Sequence, residues 1–284
     1  MSTFSGIWVA LVTPFRDGQV DLPALRSLAV HLLEMGAAGL VVCGTSGEAA
    51  ALDEREQLAV LDAALEVVPA SRVVMGLSGN NQTAVLARLQ RIQSRPLAGL
   101  LVPAPYYIRP SQQGLLAFFE AIADASRLPI ILYDIPYRSA VSMELETVRQ
   151  LAGHPRITAI KDCGGDARKT QTLIEDGVLD VLAGEDEQIF TTLCLGGSGA
   201  ISAAAHIRTA DFVQVVAYLQ RGDLQAGRTL FRQLLPLIRL AFAEPNPAPI
   251  KSLLAMRGWI ADELREPMLR CSDALRERLR DERL

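Results

Sequence analysis

The chain has 284 residues, of which 50% are hydrophobic and 21% charged, with a formal net charge of −4. This balance supports a full buried core and excludes global disorder. It offers neither the basic footprint of a nucleic-acid binder nor the polybasic patch of a membrane-surface protein.

The opening stretch, MSTFSGIWVALVTPF, has no positive residue ahead of its apolar run, and Pro14 stops that run early. It reads as a strand and not as a signal peptide. No apolar segment approaches the roughly 18 residues that a membrane span needs. Cys43, Cys163, Cys194 and Cys271 lie far apart with no C-x-x-C pair, a pattern that suits reduced thiols and a cytoplasmic location better than a disulfide framework. His31, His154 and His206 form no H-x-H or H-E-x-x-H pattern, so no metal site is expected from them.

In chain order, the first apolar run is IWVALV (residues 7–12), ending in Thr13-Pro14 and followed by TPFRDGQVD. That segment lacks the G-x-G-x-x-G of a dinucleotide-binding first turn. The second run, GLVVC (39–43), enters GTSGE (44–48). The helical pattern LDEREQLAVLDAALEVV then opens with Asp53 and Glu56 in a capping-box arrangement. RVVMGL (72–77) and AGLLVP (98–103) are the third and fourth runs, followed by a helix from Ser111 with Gly114 as a weak point. PIILY (129–133) is the fifth, and the next helix is expected from Ser142 to near Gly153. The sixth, ITAIK (157–161), closes on Lys161. LDVLAG (179–184) and GAIS (199–202) are the last two, with GGSG (196–199) a tight turn that lacks the lysine of a P-loop.

These runs are rich in Val, Ile and Leu and too short for helices, as expected of parallel strands buried on both faces. They alternate with helices at roughly the 30-residue rhythm of a (β/α)8 TIM barrel, and a doubly wound sheet is the rival fold. The α/β barrel is assigned to residues 1–222. A small C-terminal helical appendage, broken by RGD and EPNPAP, is assigned to 223–284.

In such a barrel, chemistry gathers at the C-terminal strand ends. Lys161 closes the sixth strand and Tyr133 the fifth, and neighbouring strands lie about 4.8 Å apart. If both side chains point inward, amine and phenol share a pocket. A neutral amine attacks a carbonyl to form a Schiff base, and a phenol can shuttle the protons. The competing reading of Lys161 is a lysine snorkelling from a strand end, paired with Asp162. Thr45 and Ser46, between glycines, make a good seat for a carboxylate, though the same residues suit an ordinary β-to-α turn. Cys163 has no histidine nearby in sequence to activate it, so packing is expected of it.

GTSGE, PYYIRPSQ, YDIP, IKDCGGD and EPNPAPIK, in this order over almost the whole chain, resemble the dihydrodipicolinate synthase / N-acetylneuraminate lyase family. These are pyruvate-dependent Schiff-base aldolases on a (β/α)8 barrel. The resemblance implies that Lys161 forms the imine with pyruvate, with no other cofactor and no metal, and that Tyr133 is the proton shuttle. It implies that Thr45 and Ser46 hold the pyruvate carboxylate, with Thr45 helping to relay protons. Main-chain groups near Gly184 and Ile201 would line the pyruvate pocket. Tyr107 would reach into a neighbouring subunit's site, which implies a homotetramer built as a dimer of dimers. Arg138 would grip the carboxylate of a second substrate, an aldehyde such as aspartate semialdehyde, on the way to lysine.

Three departures stand out. Ser46 replaces a threonine or asparagine, YDIP replaces the commoner YNVP or YNIP, and YRSA replaces SRTG, so that Tyr137 and Ala140 alter the aldehyde end. At the positions that match the lysine-effector site stand Glu54, Gln57 and Val85, with Asn81 and Tyr106 kept, which implies weak or absent lysine inhibition. Two alternatives stay open: a related lyase or dehydratase acting on a sugar acid or other 2-keto acid, and a catalytically silent barrel that binds a keto acid.

Overall fold

The structure, a computed structural model, describes residues 4–281. The strands are β1 (Gly6–Ala10), a small pair β2 (Phe15–Arg16) and β3 (Gln19–Val20), β4 (Gly39–Val42), β5 (Val73–Gly76), β6 (Gly99–Pro103), β7 (Ile130–Asp134), β8 (Ile157–Asp162), β9 (Asp180–Ala183) and β10 (Gly199–Ser202). All but β2 and β3 belong to one closed barrel, in the order β1-β10-β9-β8-β7-β6-β5-β4. Every apolar run of the sequence supplies one of these strands, and their residues are almost all buried. That is the burial a strand meets when side chains fill the barrel on one face and helices cover the other.

The chain divides into two compact units. One holds Ala70–Ile201 with the N-terminal residues through Ser5, and so carries β5 to β9 and most of β10. The other holds Gly6–Pro69 and everything from Ser202 on, including β1 to β4 and the helices Leu224–Ala241, Ala248–Met256 and Asp273–Asp281. Among the described residues no helix is long and apolar enough to cross a membrane.

Side-chain caps fix several of the helix starts. Asp53 accepts from the Glu56 amide at 2.8 Å while Glu56 accepts from the Asp53 amide at 3.0 Å, completing the expected capping box of the helix Glu54–Leu65. Ser111 caps Gln112–Ala125 through the Gly114 amide at 3.2 Å, so the glycine expected to weaken this turn supplies its donor.

Two features differ from expectation. The segment after β1 is a hairpin: Asp17 and Gly18 both take left-handed φ, 52° and 76°, between the paired residues Phe15–Val20 and Arg16–Gln19. Asp-Gly is the signature of such a turn. The helix expected from Ser142 begins instead at Leu145. Ser142 and Met143 are held out of it, because the Met143 amide and the Ser142 hydroxyl both donate to Asp134, at 3.1 and 3.5 Å.

His206 shows how a satisfied histidine behaves in this core. Its Nε2 accepts from the Val12 amide at 3.1 Å and its Nδ1 lies 2.8 Å from the Ala203 carbonyl, which fixes the neutral ring with its proton on Nδ1. Burial lowers its pKa from 6.5 to about 4. Between these values the unfolded chain binds the proton that the folded ring refuses, so stability falls as pH drops through this window. The loss is on the order of 3 kcal/mol. Denaturant titrations from pH 7 to pH 4 should therefore show a shallower pH slope for His206→Gln than for the parent, and equal slopes would contradict this account.

Candidate active site

The unit that carries Lys161 owes its arrangement to one irregularity. β7 and β8 pair Ile130 with Ile157 and then Ile131 with Ala159, passing over Thr158. Beyond this shift Tyr133 stands opposite Lys161, and Asp134 opposite Asp162. Side chains alternate faces along a strand, so a one-residue shift decides which neighbour a side chain meets. Without the extra residue, Lys161 would face Asp134.

As built, Lys161 Nζ donates to the Tyr133 phenol oxygen at 3.3 Å and lies 4.3 Å from the ring centroid. The two side chains are deeply buried, at 6% and 5% exposure. Gly184 closes the other side. A Cβ there would meet Cys163 Sγ at 2.3 Å, the Asp162 carbonyl at 2.9 Å and Lys161 Cγ at 3.0 Å. Its absence is what admits the lysine stem. Burial pushes the Cys163 thiol well up, so it stays protonated and packs. Ile201, on β10, is buried.

The alternate residues, Asp134 and Asp162, have a different environment. Asp134 is fully buried and forms an ion pair with Lys169 of the helix Ala167–Asp176. Lys169 also donates to the Met143 carbonyl at 2.8 Å. Burial raises the Asp134 pKa and Lys169 opposes it. The departure YDIP is thus a compensated one. Asp162 accepts from the Gly164 amide at 2.8 Å and from the Thr170 hydroxyl. It does not pair with Lys161.

Arg138 lies exposed on the short helix Pro136–Ser139, its guanidinium 5.9 Å from the Tyr137 ring centroid. The Tyr137 hydroxyl donates to Glu185 Oε1 at 2.9 Å. Tyr107 is 85% exposed. It is the centre of a γ-turn, with φ at 72° and the Ile108 amide donating to the Tyr106 carbonyl at 2.9 Å.

In the other unit, Thr45 and Ser46 sit in a tight turn after β4. Gly47 and Glu48 donate back to the Gly44 and Thr45 carbonyls, each at 3.1 Å. Thr13 Oγ1 donates to the Gly47 carbonyl at 2.7 Å, and Asn246 Nδ2 to Ser46 Oγ at 2.9 Å. Ser46 is buried and Thr45 half-buried.

The structure thus brings Lys161, Tyr133 and Gly184 into contact, and seats Ser46 on Asn246. Tyr107 and Arg138 stand out in solvent, apart from that cluster. Sequence reasoning missed Asn246, the Tyr137–Glu185 bond and the Asp134–Lys169 pair. Asn246 lay in plain view within EPNPAPIK; the other two join residues with no shared local pattern. Among the described residues no three His, Cys, Asp or Glu side chains are grouped as a metal site would require.

The model of the Dihydrodipicolinate synthetase family matches residues 3–282. The chain belongs to this family. Among its relatives, a 4-hydroxy-tetrahydrodipicolinate synthase of Syntrophobacter fumaroxidans is 41% identical over 98% of this chain and 97% of its own length. One from Syntrophus aciditrophicus is 37% identical over 98% and 96%. A chloride-inhibited dihydrodipicolinate synthase of Acinetobacter baumannii, solved with pyruvate, superposes with a TM-score of 0.93 at 33% identity, covering 97% of this chain and 96% of that one.

The packing around Gly184 makes a prediction that is independent of activity. Gly184→Ala should destabilise the protein by about 1–3 kcal/mol through overpacking. Cys163→Ala in the same chain should recover part of that loss, because it removes the closest clash. Chemical denaturation of the two singles and the double measures the coupling; additive effects would rule the clash out.

Proposed function

We propose that the chain is a 4-hydroxy-tetrahydrodipicolinate synthase, a class I Schiff-base aldolase and lyase that condenses pyruvate with L-aspartate-4-semialdehyde. The observation that carries this reading is the 3.3 Å contact between two deeply buried groups, the Lys161 amine and the Tyr133 phenol. The Lys161 nitrogen adds to the ketone carbon of pyruvate. Loss of water from the carbinolamine leaves an imine, with Tyr133 exchanging the protons. Removal of a methyl proton gives the enamine, whose carbon attacks the aldehyde. The amino group of the semialdehyde then attacks the imine carbon, closing the ring and displacing the Lys161 amine in its free form, so that the water lost from the carbinolamine is the net water released.

Thr45 and Ser46 hold the pyruvate carboxylate, with Thr45 in the proton relay. Main-chain groups at Gly184 and Ile201 complete the pyruvate pocket. Arg138, exposed and able to bind a carboxylate in bidentate fashion, takes the aldehyde's carboxylate. Tyr107 completes the relay of a neighbouring copy in a homotetramer, a role that fits an aromatic side chain held out into solvent. The enzyme works in the cytoplasm, in lysine and diaminopimelate biosynthesis, without metal or cofactor beyond the covalent imine.

A second reading, a lyase or dehydratase for a sugar acid or another 2-keto acid, draws on the Tyr137–Glu185 hydrogen bond, which alters the end of the site meant for the aldehyde. Assay of pyruvate with aspartate semialdehyde against a panel of sugar acids separates the two. No turnover with the semialdehyde would exclude the first.

Borohydride reduction in the presence of pyruvate should label the peptide bearing Lys161 and leave Lys161→Ala unlabelled; an unchanged mass, or a label elsewhere, would sink the mechanism. Tyr133→Phe should still trap pyruvate slowly, with turnover reduced by about 10²–10⁴-fold. Arg138→Ala should raise the KM for the aldehyde more than that for pyruvate, and equal effects on both would refute its assignment.

A further inference from the structure

The family motif EPNPAPIK has no part in the chemistry above, yet it grips the turn that carries Thr45 and Ser46 at two points. Asn246 donates to Ser46 Oγ at 2.9 Å. Five residues on, Lys251 is fully buried and forms an ion pair with Glu48, the last residue of GTSGE, which is itself buried. Lys251 Nζ also donates to the Glu263 carbonyl at 2.9 Å and lies 4.1 Å from the centroid of the Phe15 ring.

Glu48 is an unusual place for a carboxylate. Its backbone is left-handed, with φ at 51°, a conformation that favours glycine. The same residue closes the turn, its amide donating to the Thr45 carbonyl at 3.1 Å and its carbonyl accepting from the Ala51 amide at 2.8 Å. Its second carboxylate oxygen accepts from the Arg265 amide at 3.2 Å. Arg265 in turn forks onto Glu56, donates to the Ala51 and Gly18 carbonyls at 2.9 Å each, and lies 4.6 Å from the Phe15 centroid. A fully buried lysine and a buried glutamate pay a large desolvation cost that a pair of apolar residues would avoid. What the pair supplies is direction: a charge-fixed anchor for a strained residue that sets the turn's shape.

We propose that Lys251 is a positioning residue for the pyruvate carboxylate seat, acting through Glu48 to hold the left-handed end of the Gly44–Thr45–Ser46–Gly47 turn. This rests on the reading that Thr45 and Ser46 bind pyruvate. Loss of the Lys251 ammonium leaves a buried carboxylate that turns away to find water, and the turn relaxes with it. The pyruvate end of the site loses its shape while the aldehyde end keeps its own.

The test is steady-state kinetics with both substrates varied, on Lys251→Met, Glu48→Gln and the double variant, each checked for a native circular dichroism spectrum, with Thr45→Val as the control. Lys251→Met should raise the KM for pyruvate about tenfold and slow borohydride trapping of pyruvate in proportion, with the KM for the aldehyde within about twofold. The double variant, which removes the stranded charge but keeps an acceptor for the Arg265 amide, should recover most of the pyruvate KM. Should Lys251→Met fail to fold, Glu48→Gln carries the same expectation at smaller size. A folded variant with unchanged KM for pyruvate, or with both KM values raised alike, overturns the proposal. An unchanged pyruvate KM in Thr45→Val overturns the underlying reading instead.

Discussion

A single residue too many in β8 decides which side chain of β7 Lys161 meets. Thr158 has no partner across β7, and past it every side chain of β8 meets a neighbour one place earlier than an unbroken ladder would give. Lys161 thereby meets a phenol rather than a carboxylate. The difference is large in kind. Beside Asp134 the amine would face the carboxylate that Lys169 takes instead. Beside Tyr133 it has a neutral group that can give or take a proton. The carboxylates one step along both strands are directed to other partners, Asp134 to Lys169 and Asp162 to Gly164 and Thr170.

The same separation of charge from chemistry runs through the rest of the molecule. Two buried carboxylates are each paired with a lysine, Asp134 with Lys169 and Glu48 with Lys251, while Asp162 is held by the Gly164 amide and the Thr170 hydroxyl. Cys163 is kept protonated by burial and fills space against Gly184. His206 is held neutral by one donor and one acceptor. Lys161 and Tyr133, by contrast, contact each other at 3.3 Å.

The barrel was legible in the sequence because its signal is local. Eight Val/Ile/Leu runs of strand length, spaced by capped amphipathic helices, admit few other folds, and the capping box at Asp53 and Glu56 marked one helix start correctly. The hairpin at Asp17-Gly18 carries an equally local signal, the Asp-Gly pair of a two-residue turn. Lys161 and Tyr133 were readable from their places at strand ends. The shift at Thr158 was not, since nothing in ITAIK distinguishes a residue that pairs from one that does not. Nor were the bonds Ser46–Asn246, Glu48–Lys251 and Tyr137–Glu185. Those partners are brought together only by the finished fold, and no periodicity links them. The late start of the helix at Leu145 belongs here too, because Ser142 is an acceptable cap until Asp134 draws it away.

The Asp134–Lys169 pair carries a corollary. Asp134 has no exposure at all, and its short side chain cannot reach water. A lysine has a long flexible stem and can live beside a neutral asparagine by bending its head outward. The two exchanges are therefore not equivalent. With asparagine at position 134 the lysine can be accommodated, whereas an aspartate there without Lys169 would bury a carboxyl that has no cation beside it. In this chain the aspartate of YDIP therefore depends on the lysine more than the lysine depends on it.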